Sequence, residues 1–456
     1  MSPVRVDPSN MLSSNVGGSG VSPDRLEGEL ADRFSRVHET IGARRSAGEI
    51  GFFDLPGQRE APARVQEVAD SFGQWFESLV VVGIGGSSLG ARAIFEALRG
   101  PFWNELQDEA REHFPRLYFL DNVDPDTTSA LLGHLDLRRT LFNIVSKSGS
   151  TAETMAQFLV VEQALREKLG EEKLSGHLLF TTDPERGVLR ELARERGIPA
   201  LAVPPSVGGR FSVLSAVGLL PAAVVGVDVS ELLRGAAEVE AQCRTATLAD
   251  NPAGLLATLL HDADQTGQRP THVFMPYGDR MRALALWFQQ LWAESLGKAL
   301  DLEGNAVHTG PTPIAALGAV DQHSLLQLLM EGPSDKVVCF VRVQSRKDPV
   351  EIPGRGYEAT PALSYLGGHT LEELLDTERR ATAEALRRNG RPSLTLEVER
   401  LDARALGGLF MLLQIATVYA GELYGVNPLD QPGVELGKEL TYGLFGREGY
   451  PTPELG

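Results

Sequence analysis

Along the chain, short runs of apolar residues alternate with longer stretches in which apolar positions recur every three to four residues. The runs are LVVVGIGG from Leu79, LYFLDN from Leu117, TLFNIVSKS from Thr140, LLFTTD from Leu178 and ALAVPP from Ala200. Strands apolar on both faces, each followed by a helical stretch, predict a parallel sheet covered by helices on both sides. After a helical connection the pattern restarts with HVFMPYGD from His272, VVCFVRV from Val337 and LTLEVER from Leu394. Two α/β domains of related design follow. Helical spacing marks the stretches from Asp24 (amphipathic and heavily charged), from Arg282 through Leu300 and from Thr370. The most apolar run, LGGLFMLLQIATVYAGELYG from Leu406, contains Gln414 and Glu422. It falls short of a clean span of about 20 apolar residues and reads as a buried or subunit-packing helix. The expected division is residues 1–60 as an amino-terminal segment, 61–235 and 236–402 as the two domains, and 403–456 as a helical carboxyl-terminal segment.

Composition removes whole classes of function. The 456 residues suit two or three domains of ordinary size. A net charge of −18, from 61 acidic against 43 basic residues, argues against nucleic acid or an anionic membrane as the main partner. Any anionic ligand has to be captured locally, against the overall field. Two cysteines, Cys243 and Cys339, are too few for a disulfide framework or a structural zinc site and read as small apolar residues in a reducing compartment. The amino-terminal sequence lacks the apolar core of a secretory signal, so a cytoplasmic location is expected. No His, Cys and carboxylate cluster has metal-ligand spacing, and no metal is expected.

Two loops carry candidate chemistry. In a parallel α/β sheet, ligands sit at the carboxyl ends of the strands, where the next helix begins with unpaired N–H groups and a partial positive charge. VVVGIGGSSLGARAIF places Gly83, Gly85 and Gly86 where backbone can approach a ligand, then Ser87 and Ser88 as donors. FNIVSKSGSTAET repeats the device with Gly149 and the hydroxyls of Ser146, Ser148, Ser150, Thr151 and Thr154. A small anion, most economically a phosphate monoester, fits such loops. One such loop alone would more simply cap its helix. Two on neighbouring strands favour binding. A nucleotide is disfavoured, because G-x-x-x-x-G-K-[ST] is absent and Ser88 stands where the dinucleotide fingerprint has its last glycine.

With GGRFSVLSAVGLLP from Gly208, FQQLWAESLGK from Phe288, DQHSLLQLLMEGP from Asp321 and DQPGVELGKEL from Asp430, these loops resemble the glucose-6-phosphate isomerase family. The segments run in the family's order from about residue 79 to 440. The resemblance implies a pair of sugar-isomerase (SIS-type) domains, each a parallel sheet flanked by helices, a homodimer, no cofactor and a phosphosugar substrate. Leu429 departs from the family's usual aromatic residue and Ser150 from its usual threonine. Residues up to about Gly57 match little of the family pattern, and their role stays open.

Interconverting an aldose and a ketose requires ring opening, removal of a proton from C2 and its return at C1 through an enediolate. The resemblance makes Glu294 the base. From spacing alone, Glu294 and Lys298 read as a surface i,i+4 ion pair. Gln290, one turn before Glu294, shares its face, while Trp287 and Leu291 mark a packed stripe. Arg210 corresponds to the fixed cation near the enediolate oxygens. His323 and Lys438 correspond to the ring-opening pair, with Glu153 orienting His323 and His323 entering from the neighbouring subunit. Gly86, Ser87, Ser146, Ser148 and Thr151 would hold phosphate, Lys147 chiefly through its backbone, and Gln431, alongside Gln290, would touch the sugar or the phosphate. Two alternatives stay open at this level: an isomerase that also takes mannose 6-phosphate, and a sugar-phosphate sensor without catalysis.

Overall fold

The computed structural model describes residues 2–73 and 75–454. Its strands in chain order are β1 (Arg5–Asp7), β2 (Ser78–Val82), β3 (Arg116–Leu120), β4 (Thr140–Val145), β5 (Leu178–Thr182), β6 (Ala200–Ala202), β7 (Thr271–Pro276), β8 (Lys298–Leu300), β9 (Ala306–Thr309), β10 (Thr312–Ala315), β11 (Lys336–Val343) and β12 (Ser393–Val398). β2, β4 and β5 are buried at every position. Their alternate side chains serve two cores. Leu79 and Val81 join a central cluster, whereas Val80 and Val82 join an outer one with Phe142, Ile144, Phe158 and Phe180. That division is why these strands read as unbroken apolar runs.

The first sheet has the order β3-β2-β4-β5-β6, with every neighbouring pair parallel. The chain steps from β2 outward to β3 and then crosses back to β4, so the strand order reverses between β2 and β4. A crevice therefore opens at the carboxyl ends of those two strands. The glycine and hydroxyl loops follow β2 and β4 directly. The second sheet, β1-β12-β11-β7-β10, repeats the same winding in β10-β7-β11-β12. It also carries an antiparallel edge strand, β1 on β12, so it is not purely parallel.

Between the sheets lies the helix Ala403–Tyr424, started by Asp402, whose side chain accepts from Ala405 N, and stopped by Gly425 in the left-handed region. It packs on the helices Val229–Gln242, Pro252–Gln265 and Arg282–Leu296 and on Ala31–Ser46. Gly407 and Gly235 allow its close crossing with Val229–Gln242, since a Cβ on them would stand 1.9 Å from Leu232 O and 1.8 Å from Arg404 O. By length and composition this helix could cross a membrane, but 94% of its apolar window is buried within the protein.

The structure departs from or adds to the sequence pattern in three places. The amino terminus is folded, with Val4 buried and Arg5–Asp7 closing a sheet edge. β8, β9 and β10 were absent from the pattern. The helix from Arg282 ends at Leu296, and Lys298 begins β8 instead of continuing the helix. Cys243 and Cys339 are free and buried, and burial pushes the Cys243 thiol up to about 12 and that of Cys339 up as well.

Candidate active site

The loop after β2 turns at Gly85, with φ +59°. A Cβ on Gly86 would meet Gly209 C at 2.3 Å and Arg210 N at 2.6 Å, so only glycine lets these two loops touch. Ser212 Oγ ties them, donating within 2.7 Å of Gly209 O and 3.3 Å of Gly86 O. In the loop after β4, Ser146 Oγ accepts from Gly149 N (3.1 Å) and lies 3.2 Å from Thr151 Oγ1. Ser148 Oγ accepts from Ser150 N and Oγ at 3.3 and 3.2 Å. Lys147 turns away, its ammonium donating to Pro205 O (2.6 Å) and Val207 O (3.0 Å), and burial lowers its pKa.

Capping does not account for these hydroxyls. Ser88 precedes the helix Leu89–Arg99 and Thr151 precedes Ala152–Leu169, yet neither side chain caps its helix. The first-turn N–H groups thus face the crevice with no side-chain cap from these positions. Among the described residues, Ser87 Oγ has no protein partner and is partly exposed.

Arg210 sits in the turn Gly209–Phe211, its side chain 2% exposed. Nε donates to Ser295 Oγ (2.7 Å), Nη2 to Pro428 O (2.6 Å) and Asp430 O (2.9 Å), and Nη1 to Gln431 Oε1 (2.9 Å). Four of the five guanidinium N–H groups are thus hydrogen-bonded, and Nη1 also forms an ion pair with Glu294 Oε1 at 3.1 Å. Burial lowers its pKa, with Glu294 and Asp430 opposing; arginine starts high enough to stay charged. Behind it, Phe211 stacks on Phe52 at 5.0 Å, Gly51 N donates to Ser206 O, and Gln414, the polar break in the apolar helix, donates to Phe211 O at 2.9 Å. The amino-terminal region that matches little of the family pattern thus buttresses the Arg210 turn.

On the helix Arg282–Leu296, Trp287 and Leu291 are buried in the core while Gln290 and Glu294 share the face toward the crevice. Gln290 Nε2 donates to Glu294 Oε2 at 3.1 Å, and its own Oε1 is buried without a protein partner. A Cβ on Gly85 would meet Gln290 Nε2 at 2.8 Å. Glu294 is therefore held by Arg210 on one oxygen and Gln290 on the other, beside the glycine loop.

Within one chain the structure brings together the two loops, Arg210, Gln290, Glu294 and Gln431. The others stand apart. His323, on Gln322–Glu331 after β10, is exposed and, among the described residues, its ring has no hydrogen bond. Glu153, in the first turn of Ala152–Leu169, likewise has no hydrogen bond or ion pair of its carboxylate and makes none to His323 of its own chain. Lys438, on Glu435–Leu444, is exposed and paired with Glu435 at 2.7 Å. One turn later, Tyr442 OH donates to Ser150 O at 3.3 Å and links that helix to the hydroxyl loop. Sequence reasoning passed over Tyr442, Ser295, Ser212 and Gln414. Of these only Gln414 gave a signal, as a polar break in an apolar run.

Two other crevices are less suited to a phosphate. At the matching reversal of the second sheet, Arg346 Nη2 donates to Tyr277 O at 2.9 Å and stands 2.9 Å from where a Gly278 Cβ would be, so the protein fills that cradle itself. A cavity of about 820 Å³ at the amino ends of β2, β3 and β4 is lined by Asp70, Glu77, Asp108, Glu112 and Asp228, and its cations Arg139 and His113 are already paired with Glu77 and Asp108.

A family model described as Phosphoglucose isomerase matches residues 66–445. A glucose-6-phosphate isomerase of Rubrobacter xylanophilus is 45% identical over 455 residues, 99% of this chain and 100% of its own. One of Carboxydothermus hydrogenoformans is 43% identical over 420 residues, 92% of this chain and 90% of its own. Among solved structures, a hypothetical protein from Thermus thermophilus superposes with TM-score 0.85 at 39% identity, covering 97% of this chain and 100% of that one. A glucose-6-phosphate isomerase from Chlamydia trachomatis gives TM-score 0.74 at 27% identity, covering 85% and 73%.

Proposed function

This chain belongs to the phosphoglucose isomerase family and is an aldose–ketose isomerase, and we propose that it interconverts glucose 6-phosphate and fructose 6-phosphate with the residues around Glu294. The observation that supports this most directly is the carboxylate of Glu294 lying 3.1 Å from a buried guanidinium and beside two helix starts left without side-chain caps. Phosphate would take those N–H groups together with the hydroxyls of Ser87, Ser146, Ser148 and Thr151. The sugar would then extend toward Gln290, Glu294, Arg210 and Gln431.

The way the guanidinium is held gives the proton transfer a particular form. Three of its N–H groups are held by Ser295 and by main-chain carbonyls, but Nη1 meets only side chains, a hydrogen bond to Gln431 and an ion pair with Glu294. Side chains on the crevice can move. Substrate oxygens would take over Nη1, releasing Glu294 to remove the proton from C2 and return it at C1. As the carboxylate loses its charge to the proton, the enediolate gains one beside the same cation, which is already in place and needs no reorganisation. His323 and Lys438 would open the ring, His323 coming from the second chain of a homodimer with Glu153 accepting its other N–H. A cytoplasmic location accompanies this reading, supported by the two free buried cysteines.

Incubation with fructose 6-phosphate, followed in parallel by coupled assays for glucose 6-phosphate and mannose 6-phosphate, tests the assignment. Glucose 6-phosphate is the expected product. Mannose 6-phosphate alongside it would reveal relaxed selection at C2, and neither product would leave only a phosphosugar-binding protein.

Ser148→Ala is expected mainly to raise KM, because the hydroxyl would touch phosphate in ground and transition states alike. Loss of one hydrogen bond corresponds to roughly threefold to tenfold. Steady-state kinetics check this, and a fall in kcat alone would contradict the role.

The shared site has its own test. Glu294→Ala and His323→Ala chains, each inactive alone, are refolded together. About half the dimers formed by random pairing on a two-fold axis are mixed, and one site in each mixed dimer is intact, so roughly a quarter of all sites should recover. No recovery in a mixture shown to contain mixed dimers would assign His323 to its own chain.

A further inference from the structure

Lys298 lies where the catalytic helix has just ended. Its side chain is 6% exposed, and its ammonium does not pair with the carboxylate of Glu294. Nζ donates instead to the main-chain oxygen of Glu294 at 2.7 Å and to that of Asp430 at 2.8 Å, with the Asp430 carboxylate at 3.5 Å. The first contact satisfies a carbonyl in the last turn of the helix, where a cation also complements the helix dipole. The second is more telling. Asp430 O also accepts from Arg210 Nη2 at 2.9 Å, so two buried cations share one carbonyl oxygen.

Such an arrangement is unfavourable on its own. Lys298 loses hydration and stands near a like charge, and both burial and Arg210 lower its pKa. An apolar side chain of similar length would fill the same space without either cost. What only the ammonium supplies is a clamp between the turn carrying Glu294 and the Pro428–Gln431 loop that accepts from Arg210. With Asp430 O fixed, Arg210 can set Nη1 between Glu294 and Gln431. Without it, the polar link between the loop's carbonyls and the helix runs through the guanidinium that the reaction has to engage, beside the apolar packing of Leu429.

We propose that Lys298 is a positioning residue of the isomerisation, aligning Arg210 and Glu294 by clamping the carbonyls of Asp430 and Glu294. This rests on the isomerase reading above. Lys298→Met keeps the apolar stem and removes the ammonium. It is expected to lower kcat about tenfold to a hundredfold, the range for loss of an orienting partner or a misalignment near 1 Å. KM for fructose 6-phosphate and the Ki of inorganic phosphate should stay within about threefold, because the phosphate loops belong to the other side of the crevice. Lys298→Arg, still able to donate to both carbonyls, should recover most of the lost turnover. If the methionine chain melts early, Lys298→Gln, which keeps one donor, is read by the same assays. A folded variant with kcat within threefold of the parent would overturn the proposal. So would a phosphate Ki that rises in step with the loss of turnover, or an arginine chain no better than methionine. Failure of the unaltered protein to isomerise would instead remove the function itself.

Discussion

Glu294→Gln is expected to lower turnover by at least the roughly 10² to 10⁴ contributed by a general acid–base group, with KM little changed. The substitution is nearly isosteric, and the surroundings can accept it. The new amide oxygen can keep Arg210, while its NH₂ group would meet Gln290. Gln290 Oε1 has no protein partner at present, so a flip of that amide turns an acceptor toward the new donor. Structure and phosphate binding should therefore survive while the base is lost. Exchange of the C2 hydrogen with solvent should disappear along with turnover. Near-normal turnover and exchange would reduce Glu294 to an ion-pair partner of Arg210.

Arg210→Lys is the second large effect, expected to cost about 10² to 10³ in kcat, the range for removing a donor aimed at developing negative charge. Charge is preserved, so the loss would come from geometry. An ammonium has three donors and no planar fork, where the guanidinium reaches Ser295, Gln431, Glu294 and the carbonyls of Pro428 and Asp430. Asp430 O would keep Lys298 and Glu294 would keep Gln290, but a buried acceptor that the ammonium fails to reach, such as Pro428 O, would be left unmatched at about 1–3 kcal/mol. A lower melting temperature should accompany the kinetic defect. Full activity in the lysine chain would show that charge alone, without the fork, serves the site.

Much of this arrangement was legible in the sequence, and the parts that were not share a cause. β2, β4, β5, β7, β11 and β12 announced themselves because both of their faces are buried. β10 did not, since Pro313 and a position at the sheet edge give it no apolar run, and the three residues of β1 are too few to show alternation. The glycine and hydroxyl loops at the crevice were visible through local clustering of those residues. That Ser88 and Thr151 leave their helices uncapped was not visible, because it depends on where side chains turn. Lys298 was misread for a related reason. Its spacing from Glu294 is helical, but the helix stops at Leu296 and the acceptor that redirects the ammonium lies more than a hundred positions later, at Asp430. The holding of Arg210 is likewise set by partners far along the chain.

The helix Ala403–Tyr424 also has a consequence during synthesis. Its seat is built from Val229–Gln242, Pro252–Gln265 and Arg282–Leu296, all of which precede it in the chain. A ribosome adding roughly 5–20 residues per second leaves that groove uncovered for on the order of ten seconds after its walls have emerged. Until then Leu232, Trp287 and their neighbours lack the helix that covers them in the native protein. The segment that closes the native core thus also sets how long this apolar surface stays uncovered as the polypeptide grows, and slower elongation between residues 300 and 400 would lengthen that exposure.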